Sequence, residues 1–172
     1  MSLPVEQVVW LAPIATACHF LEEWPHFAEW ARDHISTRYT NEHGRQIHLL
    51  GIVSAIGFTG VVSWAPGPLP AFLFTALYLT PMLFNMIFRA ATSNLYGSYS
   101  PGLLTAVVLF PALSWYLISA FAQAGLLRAE AAAAAAVIGV VVHGIDLAST
   151  TWRPPHFSRS AARNCSCIIC LE

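Results

Sequence analysis

The sequence predicts an all-α fold, an integral membrane bundle of five transmembrane helices over residues 1–152, and three observations predict it. Hydrophobic residues make up 56% of the 172-residue chain and charged residues only 10%, a balance suited to lipid. Five apolar stretches are each long enough, at about 1.5 Å per residue, to cross roughly 30 Å of hydrocarbon. The basic residues, all arginine, also divide as five crossings require. Arg32, Arg38, Arg45, Arg89, Arg153, Arg159 and Arg163 fall on one side and only Arg128 on the other. By the positive-inside rule the N-terminus lies outside and the C-terminus in the cytoplasm, the expected setting being a bacterial inner membrane.

The first helix is expected from about Pro4 to Trp30, apolar from Val8 to Cys18 and amphipathic beyond, with Pro25 freeing the carbonyl of Leu21 and kinking it. Arg32 to Gln46 (RDHISTRYTNEHGRQ) reads as a hydrophilic loop. A second span, His48 to Ala65, is closed by Pro66-Gly67-Pro68, and a third runs from Leu69 to Phe88. After a turn-rich link, Ser93 to Ser100, Pro101-Gly102 opens the fourth, which continues to about Ala124. The fifth runs from Ala129 to about Thr151. Residues 153–172 are expected to form a disordered cytoplasmic tail. Its Cys165, Cys167 and Cys170 crowd too closely to staple a bundle, leaving metal binding or acylation as readings. No basic segment precedes the first apolar run, which argues against a cleaved secretory signal. A net charge of −1 without a long basic run gives no reason to expect nucleic-acid binding.

Function is expected around His19-Phe20-Leu21-Glu22-Glu23-Trp24-Pro25-His26. At about 100° per residue, His19, Glu22, Glu23 and His26 fall on one face of a helix and can point at one place. Ionisable groups at membrane depth are costly and normally face a bundle interior, a cavity or each other. Depth adds a convergence. The cytoplasmic half of the first helix would share its layer with His48, with Asn85 and Arg89 four residues apart in the third span, and with His143 and Asp146 three apart in the fifth.

The motif His19-x-x-Glu22-Glu23, the asparagine of the middle span (Asn85) and the run Tyr99-Ser100-Pro101-Gly102 resemble the HXXEE-domain family over roughly residues 8 to 120. These are small, largely uncharacterised bacterial and archaeal membrane proteins. The resemblance implies no reaction. It does imply one departure, since members often carry a histidine shortly after the asparagine, where this chain has Arg89.

Imidazoles and carboxylates at helical spacing suit a divalent transition metal, zinc or iron, held by His19, Glu22, Glu23, His26, His143 and Asp146. The competing arrangement is a metal-free network in which Arg89 pairs with Glu22 or Glu23 and Asn85 orients a carboxylate. Arg89 could also grip an anionic head group. His26, which follows Pro25, reads equally as a ligand or as an interfacial side chain, His48 reads as a cap at the start of the second span, and His34 and His43 read as solvated. Glu22, Glu23, Asn85 and Arg89 are the candidate catalytic residues. The leading expectation is an intramembrane enzyme that hydrolyses or oxidises a lipid-like or hydrophobic small molecule with metal assistance. The alternatives are a metal-free isomerase or cyclase using Glu22 or Glu23 as acid or base, and a carrier for protons or metal ions. A carrier needs polar groups from both faces, and the outer halves of the spans are nearly free of them.

Overall fold

The computed structural model describes residues 3–24, 26–37 and 39–151, without the side chains at 43, 143 and 146–151. Among the described residues every regular element is helical. The expected first helix is divided into α1 (Val5–Val8), α2 (Leu11–Glu23) and α3 (Phe27–His34). Prolines make both divisions. Pro13 has no N–H to offer the carbonyl of Val9, which accepts instead from the amide of Ala12 at 3.0 Å and from Thr59 Oγ1 at 3.4 Å. Trp24, the residue before Pro25, is driven out of the helical region to φ −57°, ψ 131°.

The second long helix, α4 (Asn41–Trp64), begins inside the stretch expected to be a hydrophilic loop. Glu42 supports that first turn through Arg45 at 2.6 Å and Gln46 at 3.1 Å. Next come α5 (Pro68–Phe74), a π-helical turn (Thr75–Leu79) and α6 (Thr80–Tyr96), which form one continuous rod. Pro81 explains the turn: it lacks the donor a regular helix needs there, and Thr80 Oγ1 bonds the carbonyl of Thr75 at 3.0 Å. Gly97 ends α6 at φ +60°, and Gly102, at φ +80°, caps the start of α7 (Leu103–Gln123). The last element is α8 (Ala129–Thr151).

Three helices are long and apolar enough to cross a membrane, over Gly44–Trp64, Pro68–Tyr96 and Leu103–Gln123, and not the five expected. The proline breaks shorten the first run, and in the last the apolar helix extends over Ala129–Val142. Outward faces carry Leu49, Leu50 and Val53 on α4, Leu104 and Val108 on α7, and Val137 and Val141 on α8, an apolar surface suited to lipid. Phe74, Leu79, Leu117 and Phe121 fill the core. Tyr78 ties α2 to the π-turn, donating to the carbonyl of Ala12 at 2.9 Å and bonding Thr16 Oγ1. Close packing of α2 on α4 needs Gly51, where an added Cβ would stand 2.5 Å from Phe20 Cζ. The end of α2, the first turns of α4, the second half of α6 and the start of α7 thus meet at one end of the bundle.

Candidate functional site

At that end the carboxylate of Glu23 is 2% exposed and gathers partners from two other helices, α4 and α6, and from its own. Its Oε1 accepts from Arg89 Nη2, and its Oε2 from His48 Nε2 at 2.7 Å. His19 Nε2, one helical turn back, lies 3.1 Å from Oε1. A buried carboxylate is tolerable only when paired in this way. Arg89, itself 4% exposed, reaches Ser100 Oγ at 3.4 Å and lies 4.9 Å over the ring of Phe27 and 5.7 Å from that of Trp30. The short amphipathic α3 therefore covers the ion pair, and its Phe27, Trp30 and Ala31 are its buried face.

His19 is gripped at both nitrogens. Nδ1 is 2.8 Å from Thr105 Oγ1 and Nε2 is 3.0 Å from Asn85 Nδ2. Glu22 turns the other way. It accepts the amides of Leu104 at 3.1 Å and Thr105 at 2.8 Å, together with the hydroxyls of Thr105 and Tyr99. The orphan N–H groups of the first turn of α7 are thus capped by a carboxylate from another helix, at the end where the helix dipole favours an anion. Tyr99, in the link before α7, has its phenol pushed up by burial first and then by the Glu22 carboxylate, which keeps it a donor. Gly102 allows the two motif segments to touch: a Cβ there would stand 2.5 Å from His19 Cε1 and 2.7 Å from Glu23 Cγ. The Ser-Pro-Gly run is the surface on which the histidine and second glutamate rest.

Two cavities flank the α2–α3 junction. One of about 200 Å³ is lined by Glu23, Trp24, Phe27, Ala28, Asn41, Gly44, Arg45 and His48. The other, of about 300 Å³, is lined by Glu22, His26, Glu29, Trp30, Asp33, His34, Tyr99 and Pro101. His48 sits in an aromatic sleeve of Phe20, Trp24 and Phe27, with ring centroids 4.5, 5.9 and 5.6 Å away. Its Nδ1 is buried without a hydrogen-bond partner, as are Arg89 Nε and Trp30 Nε1.

The structure brings His19, Glu23, Asn85 and Arg89 together, as the depth argument expected, and adds His48, which had read as a cap. The layer common to the spans was the signal for it. Thr105 had none, being a threonine in an apolar run. Glu22 adjoins this cluster but faces α7. His26 lines the second cavity, because α2 ends at Glu23 and the expected single face stops there. The side chains of His143 and Asp146 lie outside the described residues. Among the described residues no three His, Cys, Asp or Glu side chains are grouped to hold one metal ion. Glu23 Oε1, the oxygen that His19 Nε2 approaches, is already paired with the Arg89 guanidinium, and a fixed cation there opposes a second one.

A family model described as a protein of unknown function with an HXXEE motif matches residues 10–116, more than half of the chain. The chain belongs to that family. No curated protein and no solved structure matches it significantly.

Proposed function

On the premise of that membership, we propose that this chain is an integral membrane enzyme, a metal-free isomerase acting on a lipid-like or otherwise hydrophobic small molecule. In this reading α1–α2 and α8 complete a five-helix bundle around the three long spans, with the N-terminus outside and the site in the cytoplasmic half, an orientation the arginine distribution supports. The observation that carries the chemistry is the pair Glu23 Oε2–His48 Nε2 at 2.7 Å with His48 Nδ1 unpartnered. The carboxylate, held by Arg89, accepts a hydrogen bond from Nε2–H and fixes that tautomer, which leaves the Nδ1 lone pair, covered by the aromatic sleeve until a substrate enters, as the general base. The cavity that His48 lines is otherwise walled by Trp24, Phe27 and Ala28, which suits an apolar substrate, with Asn41 and Arg45 for a polar head.

In this mechanism Nδ1 removes a proton from a carbon activated by a neighbouring unsaturated group. The imidazolium, stabilised by Glu23, exchanges that proton with solvent and delivers a proton to another carbon, so the double bond moves and no atom is gained or lost. Arg89 holds Glu23 in place. A zinc or iron ion is less compatible with the described residues, because Arg89 already supplies the cation that Glu23 needs. The gathering of polar groups at one end favours a pocket over a carrier's path.

Proteoliposomes containing the wild-type chain or His48→Gln, incubated with a hydrophobic cell extract and profiled by mass spectrometry with chromatographic separation, test the reading. A species converted to an isomer of equal mass by the wild type alone supports it. Identical profiles from both proteins overturn it.

A further inference from the structure

The acid–base reading leaves the first glutamate of the motif and His19 without a chemical part, and the hydrogen-bond directions around them supply one. Glu22 is surrounded by donors and can only accept. The single hydroxyl hydrogen of Thr105 has Glu22 Oε2 at 2.5 Å and the carbonyl of Gly102 at 3.3 Å as acceptors, and the shorter, charge-assisted contact takes it. Toward His19, Thr105 Oγ1 can then only accept, so Nδ1, 2.8 Å away, must carry the hydrogen. Nε2 is left as the acceptor, facing Asn85 Nδ2 at 3.0 Å, and Glu23 Oε1, 3.1 Å from the same nitrogen, takes its hydrogen bond from Arg89 instead. Every donor points the same way, from Asn85 to His19 to Thr105 to Glu22, and bonds aligned in this way reinforce each other.

From these contacts we infer that Glu22, acting through Thr105, locks His19 in the Nδ1–H tautomer, making His19 a positioning residue and not an acid toward Glu23. The inference deepens the isomerase reading and rests on it for its functional consequence. With no hydrogen on His19 Nε2 to hand over, Glu23 stays a carboxylate serving Arg89 and His48, and the two histidines hold opposite tautomers. The spacing of the motif follows. The residue four after His19 meets it directly, and the residue three after it reaches α7 and returns through Thr105 to the other side of the same ring.

The test is a long-range proton–nitrogen NMR spectrum of protein labelled with ¹⁵N in the histidine rings and held in lipid nanodiscs, with His19 assigned by loss of its signals in His19→Gln. The expected pattern for His19 is a protonated Nδ1 and an unprotonated Nε2. In Thr105→Val the pattern should reverse to Nε2–H, which then bonds Glu23, and in Thr105→Ser it should be retained. A protonated Nε2 in the wild type overturns the inference even if Thr105→Val fails to fold, and so does an unchanged His19 in a folded Thr105→Val. The spectrum needs no substrate. The tautomer can therefore fail while His48-dependent turnover stands, and turnover can fail while the tautomer is found.

Discussion

Gly102→Ala addresses the contact between the two motif segments. Two costs add at this position. The residue sits at φ +80°, where an L side chain loses about 1–2 kcal/mol. The new methyl would also stand 2.5 Å from His19 Cε1, 2.7 Å from Glu23 Cγ and 2.9 Å from Glu23 Oε1. None of these is the far end of a free side chain, since His19 and Glu23 are held at both ends by Thr105, Asn85, Arg89 and His48. Overpacking against fixed neighbours costs a further ~1–3 kcal/mol, for a total of about 2–5 kcal/mol. For a chain of this size that lowers the apparent melting temperature by roughly 5–15 °C. The assay is thermal unfolding in detergent followed by circular dichroism, with Gly97→Ala beside it. Gly97 has φ +60° and nothing within 4 Å of a new Cβ, so only the conformational cost applies, about 1–2 kcal/mol. Equal shifts for the two variants would refute the claim that Gly102 is required by contact with the motif.

The remaining predictions use the same unfolding assay unless stated. Arg89→Met strands the Glu23 charge in the core and should cost about 3–5 kcal/mol, and adding Glu23→Leu should recover much of that loss; a double variant as unstable as the single would contradict the pairing. Glu22→Gln keeps the shape but removes the anion that caps α7, a loss of about 1–2 kcal/mol, whereas Glu29→Gln, on the exposed side of α3, should fall within about 0.5 kcal/mol of wild type. Protein purified after metal-replete growth without chelator should carry well under one zinc or iron per chain by plasma mass spectrometry. A near-stoichiometric metal that disappears in a His19→Ala/Glu23→Ala double variant would restore the metal site.

The site was largely legible in the chain, because ionisable side chains in apolar helices have few places to go. His19, Glu23, Asn85 and Arg89 were placed in one layer by counting residues along apolar runs, and they meet. What could not be read was how helices turn. Pro13 and Pro25 each divide a helix expected to be whole, and the second break sends His26 to a separate cavity while Glu22 reaches α7. His48 was misjudged for a related reason. A histidine at the start of an apolar run looks like a cap, but α4 starts seven residues earlier, at Asn41, which moves His48 from a terminus into the helix body. Thr105 is invisible to pattern reasoning, because its importance lies in a hydroxyl set between two groups that neighbour it only in the folded chain.

The central claim is that His48 exchanges a proton with a hydrophobic substrate while Glu23 holds it in place. Proteoliposomes of wild type and His48→Gln, loaded with a hydrophobic cell extract and incubated in deuterium oxide, would be compared by high-resolution mass spectrometry of the extracted small molecules. A base that removes a carbon-bound proton and exchanges it with solvent before returning it adds one mass unit. The account predicts such a labelled species with wild type and its loss with His48→Gln. Deuterium incorporation that is the same in both, or absent from both, would contradict it.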